Sequence, residues 1–170
     1  MANADLHNTA PTSTAPRKAR MTGLAVAGAG IVIFNISPFL AWVSRPEEGE
    51  QRTNISGYET DSLVPFIAYL GIGLLVAMVY AGKRAYRGQH RGLTLVSMAV
   101  ALAAVLQCLA FAIDPMGDLE RGYDLHIKIG VFVGLIGAIV WSIGSGLLAK
   151  EVEGDDHDHD HDDARARRSH

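Results

Sequence analysis

Near its C-terminal end the chain reads Asp155-Asp156-His157-Asp158-His159-Asp160-His161-Asp162-Asp163. Imidazole and carboxylate groups are ligands for Zn²⁺, Ni²⁺ or Co²⁺, and short His-rich tracts are read as metal-binding. In an extended chain His157, His159 and His161 point to one side. In a helix His157 and His161 share a face, four residues apart. Asp158 and Asp160 would complete the ligand set. Nothing in the sequence preorganises such a site, so weak metal binding is the most it promises. The plainer alternative is a solubilising acidic tail of low complexity.

Two further groups of residues have chemistry to offer. Asn35 and Gln107 lie inside apolar stretches at similar depth, where polar side chains are expected to hydrogen-bond across a bundle; a substrate or proton path is the alternative. Asp61, His126 and Lys128 flank apolar stretches. His126 with Asp61 or Asp124 would make a pH-sensitive pair, and Lys128 can reach out to a membrane interface; simple interfacial anchoring is the competing expectation. Cys108 is the single cysteine, which excludes an internal disulfide. No nucleotide-binding loop, zinc-protease helix, redox Cys pair or nucleophile elbow is present. The sequence therefore predicts a protein that is not an enzyme and has no resident cofactor.

The elements that must position these residues are four apolar blocks, Met21 to Val43, Ser62 to Gly82, Gly92 to Ile113 and Ile127 to Ala149. About 20 apolar residues, at a rise of about 1.5 Å each, cross a hydrocarbon core of about 30 Å. A soluble helix would carry a polar stripe; these blocks carry none, and they are too continuous for barrel strands. The expected fold is an all-α membrane protein, a four-helix transmembrane bundle over 21–150 with spans near 21–43, 62–82, 92–113 and 127–149. Disordered tails are expected over 1–20 and 151–170.

Packing signals lie in the first and fourth blocks. Gly23, Ala27 and Gly30 are spaced four and three apart, and Gly130, Gly137 and Gly144 recur every seventh residue, with Gly134 between them. Small residues on one face let a second helix approach closely. The expected use of the fourth-block face is contact with another membrane protein or a second copy of the chain. Trp42 is expected at the membrane interface. Leu40-Ala41-Trp42 followed by Gly57-Tyr58-Glu59 has an echo in Leu109-Ala110-Phe111 followed by Gly122-Tyr123-Asp124. A degenerate repeat of a helical hairpin is one explanation, and shared apolar composition is the other.

Charge sets the orientation. The segment before the first block and the loop carrying Lys83, Arg84, Arg87 and Arg91 are basic; the other two loops are acidic. Basic segments stay inside, so both termini are expected in the cytoplasm of a bacterium, with the acidic loops outward across its plasma membrane. The basic residues are explained by topology, and nucleic-acid binding has no support.

Pro38, Trp42 and Val43 at the end of the first block, Ser56 to Glu59 in the outer loop, and glycine-rich second and fourth blocks resemble the small four-helix membrane proteins of actinobacteria and their phages. The resemblance covers about Met21 to Lys150. It implies a fold and a location and transfers no catalytic residue. The functional expectation is an accessory or interaction subunit in the plasma membrane, in contact with the lipid bilayer. Its alternatives are a small transporter or metal-handling protein using the His/Asp tail, and a phage-encoded envelope or exclusion protein.

Overall fold

The computed structural model describes residues 21–46, 52–60, 62–84, 87–117, 120–121 and 124–168; the side chains of 83–89, 116–123 and 151–168 lie outside that description. Four helices dominate: α1 (Thr22–Ile36), α2 (Val64–Arg84), α3 (Arg87–Ile113) and α4 (Ile129–Arg168). Helices α2, α3 and α4 each contain a stretch long and apolar enough to cross a membrane, and α1 does so together with the turn that follows it, Thr22–Phe39. Neighbours around the bundle are α1 with α2, α2 with α3, α3 with α4, and α4 with α1, the last pair in the most extensive contact.

Helix α1 stops well short of the end of its apolar block. Pro38 has no N–H to donate and its ring crowds the carbonyl four residues back, so the helix cannot continue through it. Ser37 Oγ donates to the Phe34 carbonyl at 2.8 Å, and a single 3₁₀ turn, Ser37–Phe39, ends the helix. The remainder of the block is extended: Ala41–Pro46 is a β-strand. The first span thus ends near Phe39, and Ala41, Trp42 and Val43 belong to a sheet rather than to a helix.

That sheet is an addition to the all-α expectation. Strand β1 (Ala41–Pro46) pairs antiparallel with β2 (Arg52–Ser56) on one side and with the short β5 (His126–Ile127) on the other, in the order β2-β1-β5. Strands β3 (Met116–Gly117) and β4 (Glu120–Arg121) form a separate two-stranded ladder. Both acidic connections, α1–α2 and α3–α4, therefore meet in one β-structured cap at one end of the bundle, while the basic α2–α3 connection lies at the other.

Burial in the bundle is inverted relative to a soluble protein. Alanines are prominent in its interior, with Ala27, Ala101, Ala104 and Ala138 all buried beside larger side chains such as Ile31, Phe34, Met78 and Trp141. Large apolar side chains such as Phe66, Val76, Leu106, Ile136 and Ile143 point outward from every helix. An apolar exterior of this extent is not stable against water. Mostly helical architecture, four spanning-length helices and an apolar exterior together fit a multi-pass membrane protein.

Helix α4 continues in helical backbone to Arg168, through the tract for which the sequence led us to expect no regular structure. Extending an existing helix adds about one hydrogen bond per residue without a new nucleation step, and no proline interrupts 129–168.

Candidate functional site

The small residues of α1 and α4 face each other in a fixed antiparallel register. Gly23 meets Leu148, Gly144 meets Ala27, Gly30 meets Trp141, Gly137 meets Phe34, and Gly134 meets Ser37. Along both helices the contact residues alternate four and three apart, the 3.5-residue repeat that keeps one seam of a helix facing its partner. A methyl group added to Gly144, Gly30 or Gly23 would collide with backbone atoms of Ala27, Trp141 or Leu148; one at Gly137 would stand 2.9 Å from Phe34 Cα. Backbones this close gain dispersion over the whole seam. The glycine face of α4 is thus covered by the chain's own α1, and a second protein cannot use it while the bundle is intact.

Two tryptophans pin the bundle at different levels. Trp141 is fully buried where the four helices converge. Its backbone lies against Gly30 of α1, its ring edge stands 3.1 Å from where a Cβ on Gly71 of α2 would sit, and the ring of Phe34 is 6.2 Å away, centroid to centroid. Trp141 Nε1 donates to Ser97 Oγ of α3 at 2.9 Å, and Ser97 shares a hydrogen bond of 3.0 Å with Ser145 Oγ. A buried indole N–H needs an acceptor, and this chain of hydroxyls supplies it while linking α3 to α4.

Trp42 does the same at the capped end. Its side chain is turned into the protein rather than outward, and it is 0 % exposed. Its Nε1 donates to the Ser37 carbonyl at 2.7 Å, its ring meets Phe111 of α3 edge-on at 5.2 Å and 79°, and it fills the space above Gly130 and Gly134 of α4 and beside Gly57. Its carbonyl accepts from the Lys128 backbone N–H at 2.8 Å. A register irregularity between Ala41 and Val43 is what frees Trp42 from strict strand alternation. The signal for this burial was present in sequence as Gly130 and Gly134, which remove the side chains that would otherwise fill the indole site.

The cap presents two rows across its strands. Val43 is paired with Ile55 and Ile127, an apolar row; Ser44 is paired with Asn54 and His126, a polar one. Asn54 and His126 are exposed and Ser44 is buried. Among the described residues Ser44 Oγ has no hydrogen-bond partner, so Ser44 and His126 do not form the hydrogen bond that a serine nucleophile and its base require. An unsatisfied buried hydroxyl costs about 1–3 kcal/mol. Ser44→Ala is therefore expected to leave thermal stability unchanged or to raise it, as read from unfolding of the detergent-solubilised protein.

The turn after β2 is held by Glu59. Its Oε2 accepts from the Ser56 backbone N–H and from Ser56 Oγ, both at 2.8 Å, and these bonds hold its carboxyl below the ordinary glutamate value, the backbone bond first. A lowered carboxyl stabilises the folded turn at pH above the ordinary value and loses that effect as pH falls through the lowered one. The protection factor of the Ser56 amide, its exchange measured against the intrinsic rate at the same pH, is thus expected to fall on acidification below the ordinary glutamate range. In Glu59→Gln the acid-dependent step should disappear.

Asn35 Nδ2 donates to the Ile31 carbonyl at 2.8 Å, one turn back on its own helix, which uses one of its two amide N–H groups locally; Gln107 is half-buried on α3. Lys128 is half-buried beside exposed His126, and Asp61 lies outside the described residues. His157, Asp158, His159, Asp160 and His161 are described in backbone only, on a helix that sets 157 and 161 four residues apart. Comparison with protein-family models, with curated proteins and with solved structures finds no match to this chain.

Proposed function

We propose that this chain is a non-enzymatic membrane protein of the bacterial plasma membrane, an accessory or interaction subunit that presents its β cap on the outer side. The observation that carries this reading is the sheet β2-β1-β5, which joins the two acidic connections into one ordered surface fastened to the bundle by Trp42. The basic segments at the opposite end favour cytoplasmic termini, because positive charge is retained inside. Because α1 covers the glycine face of α4, recognition of a partner falls to the cap and to the outer faces of the helices. The residues matched in the hairpin repeat, Trp42 and Phe111, stand in unlike elements, a strand and a helix. The proposed kinship with the small four-helix membrane proteins of actinobacteria and their phages rests on the sequence resemblance alone.

The test is co-purification of the N-terminally tagged chain from its native membrane at native level, with and without the hairpin substitution Trp42→Ala. A stoichiometric partner lost on that substitution supports a cap-presenting subunit. Recovery of the chain alone moves the weight to transport or metal handling through the His/Asp tail. A reporter fused after Lys150 that is active only outside the cytoplasm overturns the orientation.

A further inference from the structure

Trp42 is withdrawn into the core, yet the capped end still exposes aromatic rings, and they are gathered in one place. Phe39, the last residue of the first span, is 72 % exposed. Its ring meets Tyr58, in the turn after β2, edge-on at 4.9 Å and 64°. The Tyr58 phenol neighbours that of Tyr69 of α2, which is 62 % exposed. Three elements separated in sequence thus contribute one ring each to a single exposed cluster.

Its composition and position both bear on what covers it. One end of the cluster is purely apolar, and the other carries two phenol hydroxyls. Farther along α2 from the cap the exposed surface is apolar, with Leu70, Ile72 and Val76; on the cap side lies the charged turn of Glu59. Tyr69 is in the second turn of α2, and helical side chains lean toward the helix N-terminus, which here is the capped end. Its hydroxyl therefore reaches back toward the level of Phe39 and Tyr58. Aromatic residues with one apolar and one polar side concentrate where hydrocarbon gives way to headgroups.

We infer that the Phe39–Tyr58–Tyr69 cluster seats the β cap in the lipid headgroup region of the outer leaflet, with the rings in the upper acyl layer and the phenols among the headgroup acceptors. The inference rests on the membrane reading above and goes beyond it. It makes the cap a surface held against the bilayer on its α1–α2 side, with the β2 turn at headgroup depth. Among the described residues the outer ends of α3 and α4 expose aliphatic Ile113 and Ile129.

The experiment places a nitroxide label at Phe39→Cys, in a separate chain at Tyr69→Cys, and in a third at Val76→Cys, all in a Cys108→Ala background. Val76 lies midway along α2 and is exposed. Each full-length chain is reconstituted into vesicles of phosphatidylglycerol and phosphatidylethanolamine without any other protein. Collision with oxygen and with a water-soluble nickel chelate is then compared. The expected result is strong oxygen collision and loss of nickel collision at Val76, with intermediate values of both at Phe39 and Tyr69. Full nickel accessibility at Phe39 and Tyr69 beside a deep Val76 overturns the anchoring and leaves the membrane reading standing. Full nickel accessibility at all three sites overturns both.

Discussion

Gly144→Leu is expected to break the bundle itself. A Cβ at this position already meets the backbone of Ala27, and backbone cannot move aside as a flexible side chain can. Overpacking of a tight core costs about 1–3 kcal/mol when side chains yield; here the whole α1–α4 seam must separate, so the expected loss is at the top of that range or above it. Gly137→Leu, opposite Phe34, belongs to the same class. The control is Gly73→Leu on α2, where nothing lies within 4 Å of the added Cβ and the expected change is below about 0.5 kcal/mol, as for substitutions away from packed features. Unfolding in mixed micelles at increasing denaturing detergent reads the difference. Equal stability of Gly144→Leu and Gly73→Leu would show that α1 and α4 do not pack by this seam. The same contrast separates an internal role for the glycines from a role in binding a partner: a partner face would leave the isolated chain's stability unaffected.

Trp42→Ala carries the second large effect. Truncating a buried tryptophan costs about 3–5 kcal/mol, and this one loses at once its packing over Gly130 and Gly134, the edge contact with Phe111 and the hydrogen bond to Ser37. The damage should be concentrated in the cap, because the Trp141 core lies deeper along the same helices. Hydrogen exchange is expected to rise in β1, β2 and β5, with the α1–α4 seam below Gly134 less affected. Trp42→Phe should recover much of the packing and none of the bond to the Ser37 carbonyl. A tryptophan at a lipid interface would tolerate either change with little loss, so retention of full cap protection in Trp42→Ala would return Trp42 to the interface.

Whatever follows from length and composition alone is legible in the chain. Four apolar blocks of spanning length can only be satisfied as helices in a low-dielectric surrounding, since each helix meets its own backbone hydrogen bonds, and four such helices are found. The spacing of Gly23, Ala27 and Gly30, and of Gly130, Gly137 and Gly144, was equally legible, because a helical face is a local property of spacing. Which surface covers that face is not local. Only the tertiary structure set α1 in antiparallel register against α4, because register depends on shapes brought together from opposite ends of the chain. The cap was hidden for the same reason. Strand β5 is two residues long and has meaning only beside β1, more than 80 residues away in sequence. Trp42 reads as an interfacial residue from its place at the end of an apolar block; its burial needed Gly130, Gly134 and Phe111 to arrive from the other half of the chain. The aromatic cluster likewise has no sequence signature, since Phe39, Tyr58 and Tyr69 meet only when the hairpin folds back over the start of α2.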